Sequence, residues 1–453
     1  MFEMIKDRER LFKRGYAEHG DVFALKLGPQ MVAVITGAEH NKQLYMETDK
    51  ALNMQEGYSF LKASIGEVLF TASVDSYYNE RPLLQEAFRR ERMTHFIQAM
   101  NIEVQRWLDG LGESGEIDLT QAMMELTQAV AGHAFIGPNF RDELDDHFWK
   151  QYIHISHSLD PVLPTNLPLP KFWRRDRARA ELGRIMADVI DKRRRNPEKY
   201  DDLISDLLHK PLKDGTTMPD EQIVSMFIGL IFAGHETTAG QAAWLLALLL
   251  QHPDYLTLVR DEIRERVAYG APIDAKVLST LDHIYWAVDE TTRLRPSADV
   301  QLRTVSDTIN VGDYEIPTGW RMMVSAATSH HKPDVWQQPE RFDPLRFSPD
   351  RNEGKNPFAI VGFGGGVHKC TGMNFAKNEM AIITALFFQQ FDAELLSSDI
   401  KVVAGHGANH PSAVNIRYKR KPLSQLADAA TIREAMAAGC PHIRQHATAE
   451  DAV

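Results

Sequence analysis

Cysteine is nearly missing from this chain: Cys370 and Cys440 are the only two in 453 residues. Two thiols cannot staple a disulfide framework, and such economy fits a reducing compartment, so a cytoplasmic location is expected. A basic excess is missing too. Lys plus Arg number 51 against 62 Asp plus Glu, a net charge of −11. A nucleic-acid-binding face wants the opposite sign, so none is expected. No apolar run reads as a membrane span. The longest, "AAWLLALLL" (242–250), is too short and follows His235 and Glu236. The opening "MFEMIKDRERLFKRGYAEHG" is charged and helical in pattern, unlike a secretory signal. Repeats and flexible linkers are also lacking over the first 420 residues. One large domain, 1–421, is therefore expected, followed by an Ala-rich extension, 422–453, with one helical stretch.

Helical periodicity is what the chain does have. It predicts helices over 83–108, 119–136, 141–158, 175–194 and 253–268. "DVFALKL" and "MVAVITG", separated by "GPQ", read as a β-hairpin, and "TINVGDYEIPTG" adds short strands around a Gly312-Asp313 turn. "PVLPTNLPLPKF" (161–172) is too proline-rich for anything but an extended crossing. Residues 219–250 are apolar on nearly every face, which a water-soluble protein tolerates only in a helix buried through its middle. The class is mainly α with a minor β part.

The chemistry gathers around one thiol. In "FGGGVHKCTG" (363–372), Gly364, Gly365 and Gly366 precede Cys370, and Gly372 follows it. Bare backbone turns sharply and lies close to a flat ligand. A helix starting near Cys370 would aim N–H groups at the sulfur and lower its pKa. Three uses stay open from this pattern: an axial ligand to haem, a nucleophile with a histidine base, or tight packing. Zinc would want further ligands nearby.

The same ten residues resemble the haem-binding loop of the cytochrome P450 superfamily, F-G-x-G-x-[HR]-x-C-x-G, with every defined position filled. "ETTRLRP" (290–296) is similar to the family's E-x-x-R helix, and "PERFDPLRF" (339–347) to its meander. "AGHETT" (233–238) resembles the oxygen-activation motif of the long helix over the haem. The resemblance implies that fold, with haem b on the Cys370 thiolate and a bracing triad of Glu290, Arg293 and Arg346. It implies Thr237 as hydrogen-bond partner of dioxygen and Glu236 as proton relay. Phe363, Gly364, Gly366, Gly372 and Ala233 would lie against the haem, and His368, Arg303 and Tyr58 would meet its propionates. The apolar pocket would be walled by Phe60, Leu61, Phe70, Ile231, Phe232 and His235, the last open to the plainer reading of a packed histidine.

Within the superfamily, "EGYSFLKASIGEVLFTA" (56–72), "FRRERM" (88–93) and residues 115–148 resemble bacterial sterol 14α-demethylases. Departures occur at Ala63 or Ser64 and at Ile65, one residue is missing after Gly66-Glu67, and Glu236-Thr237 replaces that group's His-Thr. The resemblance thus implies a monooxygenase acting on a sterol, triterpenoid or other lipid-like molecule. A peroxide-driven or rearranging haem-thiolate enzyme and a haem sensor are the competing readings. No flavin or iron–sulfur segment is visible, so electrons would come from a ferredoxin or flavodoxin. Lys355, Lys369 and Lys377 form a candidate docking patch for such an acidic partner. Cys440, in "AAGCPHIRQH", reads as an incidental thiol of the extension.

Overall fold

The computed structural model describes residues 3–4, 7–161, 163–405 and 407–425. Most of the C-terminal extension, with Cys440, lies outside the described residues. The centre is the helix Asp220–Gln251, 32 residues or about 48 Å long. Being apolar all round, it holds in water only because other helices wrap it. Leu119–Ile136, Pro170–Arg195, Asp282–Leu294 and Met373–Gln390 do so. Among the described residues it is the one helix long and apolar enough to cross a membrane, and 78% of its most apolar window is buried inside the protein.

The expected helix 83–108 is two helices, Val74–Ala87 and Arg90–Gly110. Phe88 leaves the helical path, and its ring packs among Phe96, Phe135 and Phe375 at centroid distances of 5.6, 6.3 and 6.2 Å. Burying a ring in an aromatic cluster outweighs one more turn of helix. After the proline-rich crossing, Pro170 itself opens the helix Pro170–Arg195, at a first-turn position where its missing N–H costs nothing.

A five-stranded sheet flanks the helices in the order Val22–Leu27, Gln30–Ile35, Arg321–Ser325, Val300–Val305, Leu52–Asn53. Only the Gln30–Ile35 and Arg321–Ser325 pair is parallel. Along Val300–Val305 the pleat buries Gln301, Arg303 and Val305 in alternation. The sheet thereby carries a guanidinium into the interior.

Candidate active site

Glu290 and Arg293 sit one turn apart on Asp282–Leu294, and with Arg346 they have no exposed surface. Glu290 accepts from Arg293 twice, at 2.7 and 2.8 Å, from Arg346 Nε at 3.0 Å and from the Asp343 N–H at 2.9 Å. Arg293 Nη1 donates to the His330 and Pro339 carbonyls at 2.9 and 2.7 Å. A surface i,i+3 pair is worth a few tenths of a kcal/mol; this cluster instead crosslinks a helix to the irregular stretch 337–353. His330 carries the brace onward. Its Nδ1 donates to the Arg293 carbonyl at 3.0 Å and its Nε2 accepts the Val361 N–H at 2.8 Å. The two bonds require one neutral tautomer, and burial lowers this imidazole's pKa to about 3.

From Val361 the chain turns through Gly364 and Gly366, with φ of +70° and +61°, where a side chain would be strained. Gly365 serves another purpose: a Cβ there would lie 2.6 Å from the Tyr45 ring. The Cys370 N–H donates to the Phe363 carbonyl at 2.9 Å and closes the loop. Gly372 caps Met373–Gln390 and directs its N–H to the sulfur. The expected fall in thiol pKa does not follow. Burial pushes the Cys370 thiol up, outweighing the Gly372 N–H and the Lys369 charge. Backbone donors alone therefore do not hold a thiolate here; a bound metal cation would, by replacing the proton.

Two observations test whether these residues fit a haem. The Cys370 thiol, though surrounded by protein, keeps an accessible surface. Arg303 is 2% exposed, yet its bonds go to the neutral Thr48 hydroxyl at 2.9 Å and the Leu302 carbonyl at 2.7 Å. Tyr58 and, beyond ion-pairing distance, Asp49 ease its charge. A buried guanidinium held by neutral acceptors wants an anion, and the propionates of haem supply one. The donor set fits. His368 departs from the simplest expectation, because its Nε2 already bonds Asp49 at 2.7 Å and its ring stacks on Tyr77 at 4.1 Å. Only its Nδ1 is left for a propionate.

Helical geometry sorts the expected pocket residues. Ala233 and Thr237 share one face of the central helix, and Ala233 is exposed although its surroundings are buried. Ile231 lies about 200° round the helix from Ala233 and is fully buried. His235 lies on that same far face, with Nε2 bonding the Met124 carbonyl at 2.9 Å. His235 thus packs against Leu119–Ile136, away from the face that carries Ala233, and Ile231 is buried on the same far side. Gly229, one turn before Ala233, lies on the Ala233 face. A Cβ there would come within 3.2 Å of Val68 and 3.3 Å of Leu69, so the segment 58–71 lies against the helix at this point. Tyr58 packs between the tilted rings of Phe70 at 5.5 Å and Phe60 at 6.3 Å, and Leu61 is buried. Phe232 turns instead to Gly407, whose Cβ would meet its ring at 2.6 Å.

Glu236 and Thr237 are neighbours in sequence but face different partners. The Thr237 hydroxyl donates to the Ala233 carbonyl at 2.6 Å. One Glu236 oxygen accepts from the Ser156 hydroxyl and the other from the Gly407 N–H at 3.0 Å. The carbonyls of His235 and Thr237 also take side-chain donors, Thr127 at 3.4 Å and Ser297 at 3.1 Å. Side-chain donors from two other segments thus meet the helix backbone at the acid–alcohol pair.

Sequence reasoning missed His330, Asp49, Ser156 and Gly407. Ser156 and Gly407 reach Glu236 from 80 and 171 residues away, and no local pattern marks them. It also misplaced one lysine: Lys377 bonds Asp289 at 2.5 Å, so its charge is already matched. Lys355 and Lys369 are exposed, as are Arg89 and Arg90. Arg90 lines a surface cavity of about 360 Å³ together with Asn374, on the helix that starts beside Cys370.

The family model described as Cytochrome P450 matches residues 3–408. The chain is 33% identical over 422 residues to a sterol 14α-demethylase of Mycolicibacterium vanbaalenii, covering 91% of this chain and 93% of the relative. It is 28% identical to the sterol 14-demethylase of Arabidopsis thaliana, over 94% of this chain and 89% of that one. Among solved structures, retinoic-acid-bound cyanobacterial CYP120A1 superposes with a TM-score of 0.83 at 24% identity, covering 93% of this chain and 96% of that one. The match of fold, thiol loop and braced meander over nearly the whole length places the chain in the cytochrome P450 family, as a monooxygenase that carries haem b on a cysteine thiolate.

Proposed function

We propose that this enzyme hydroxylates a sterol- or triterpenoid-like substrate in the cytoplasm, with electrons from a separate acidic ferredoxin or flavodoxin. The observation that carries the reading is the aromatic segment Tyr58 to Phe70, laid against the central helix at Gly229, one turn before Ala233 and two before Thr237. It makes an apolar roof that excludes water from the place where a proton must be handled. The full-length similarity to sterol demethylases supports a substrate of that class. Bound haem supplies the iron at which dioxygen is activated. Cys370 would hold that iron and Arg303, Tyr58 and His368 its propionates. Glu236 presents a carboxylate between two neutral donors, suited to accept and pass on a proton, and rotation of the Thr237 hydroxyl off the Ala233 carbonyl extends the path. A peroxide-driven enzyme or a haem sensor has no use for this pair.

Spin-state titration with sterols, triterpenoids and fatty acids tests the substrate class. Sterols or triterpenoids are expected to give the tight shift; a shift from fatty acids alone overturns it. Turnover with NAD(P)H, reductase and ferredoxin is expected to exceed turnover with peroxide, and the reverse order refutes the electron-transfer reading. The docking patch is predicted from exposed charge. Reversing Arg89, Arg90 and Lys369 to glutamate is expected to slow reduction by an acidic ferredoxin roughly tenfold at low salt. The difference should shrink at about 0.5 M salt. Lys377→Gln, which removes an already matched charge, should change the rate little.

A further inference from the structure

One buried carboxyl is used by none of this chemistry. Glu80, on Val74–Ala87, is 1% exposed. Its Oε1 accepts from the Gln222 side-chain amide at 2.5 Å, in the first turn of the central helix. The Leu69 N–H also favours its ionised form. Its Oε2 has no partner among the described residues. A single side chain thus bonds its own helix to the central helix and lies beside the turn Leu69–Thr71, whose Leu69 N–H favours its charge.

That turn is held under strain. Leu69 has φ of +53°, a left-handed conformation that persists only where neighbours enforce it. Thr71 holds the far side, its hydroxyl donating to the Gly66 carbonyl at 2.6 Å and accepting the Val68 N–H at 3.1 Å. Glu80 lies on the side next to Leu69. With Val68, the Leu69 side chain also approaches the central helix at Gly229. An ionised carboxylate accepts from the Gln222 amide and attracts the Leu69 N–H. A protonated one is a weaker acceptor, and its new O–H finds no acceptor at Oε2.

Burial raises the Glu80 pKa to about 7, against the opposing pull of Gln222 and Leu69. Charged groups on the surrounding elements are turned to other partners. Lys62 pairs with Glu67, Lys210 with Glu86 and Asp206, and Arg194 with Asp220. Arg179 bonds Ser64 and Ser225, and Glu221 acts on Arg179. Asp214 bonds Asn79 and Thr216, the Lys213 amide bonds the Asn79 carbonyl, and His209 bonds the Ser205 carbonyl. On its own helix, Arg81 acts on Tyr77 and Tyr78, and Asp75 lies in the exposed first turn. No charge is among the influences on Glu80.

We propose that Glu80 is a positioning residue for the pocket roof: its carboxylate holds the Leu69 turn in shape, and protonation loosens it. Apolar-substrate affinity would then rise with pH. This last step rests on the reading of segment 58–71 as the substrate roof.

The test is hydrogen exchange of the backbone amides of residues 66–71 in the haem-loaded, substrate-free full chain, from about pH 6 to 8.5 and corrected for intrinsic rates. Protection is expected to rise roughly tenfold across this range, with a midpoint near 7. Glu80→Gln should be flat and weakly protected throughout. Gln222→Met removes a donor that favours the ionised form, so its midpoint should move upward; it carries the test if Glu80→Gln folds poorly. A flat wild-type profile, or a Glu80→Gln profile matching wild type, overturns the proposal. Spin-state titration with lanosterol over the same range separates the two readings. Exchange that follows pH while lanosterol affinity does not upholds the Glu80 link and refutes the roof assignment.

Discussion

Glu290→Gln is expected to be among the most destabilising single changes in this chain, costing about 3–5 kcal/mol. Among the described residues Glu290 is the one carboxylate bonded to both Arg293 and Arg346, and none of the three side chains is exposed. A glutamine keeps one acceptor oxygen, but its NH₂ points donors at guanidinium groups that have only donors. Two buried positive charges are then left with no shared counter-charge. Arg346→Met should cost less, because Glu290 keeps its bidentate bond to Arg293 and Glu353 keeps Arg351. Against a typical stability of about 5–15 kcal/mol, the glutamine variant loses a large share of its margin. The effect should reach the thiol loop through Arg293, His330 and Val361. Urea unfolding midpoints measure the cost, and the fraction giving a thiolate-ligated carbon-monoxide spectrum measures the loop. A loss below about 1 kcal/mol would show that the cluster is not the brace.

Much of this was legible in sequence because the P450 scaffold writes its fixed parts locally. The glycine loop must hold left-handed backbone at Gly364 and Gly366, so glycines appear at those positions. Glu290 and Arg293 sit at helical spacing, and the central helix announces its burial by lacking a polar face. The pocket was legible only in part. Ile231 lies just before the AGHETT motif and His235 within it, but membership of a pocket wall depends on which face of the helix meets which neighbour. His235 instead meets Met124. Cys370 shows the same limit in electrostatics: a helix start and glycine N–H groups predict a lowered thiol pKa, yet the depth of burial wins. Burial is a property of the assembled fold, and so are the long-range partners of Glu236 and Glu80.

Glu236→Gln should lower kcat about a hundredfold, within the usual range for losing a positioned proton carrier. The substitution preserves shape. The amide oxygen can still accept from either Ser156 or the Gly407 N–H, and the roof of Tyr58, Phe60 and Phe70 does not bond Glu236. Substrate affinity from spin-state titration should therefore stay within about twofold. What is lost is the capacity to take up and release a proton, so the fraction of reductant wasted as peroxide should rise, and the solvent isotope effect on turnover with it. Ser156→Ala isolates positioning from proton handling. It leaves the carboxylate and its Gly407 bond in place, and should slow turnover less than about tenfold while raising peroxide release modestly. A Glu236→Gln enzyme that turns over within about threefold of wild type would show that protons reach the site without this carboxylate. Equal losses in both variants would show that Ser156 does more than aim it.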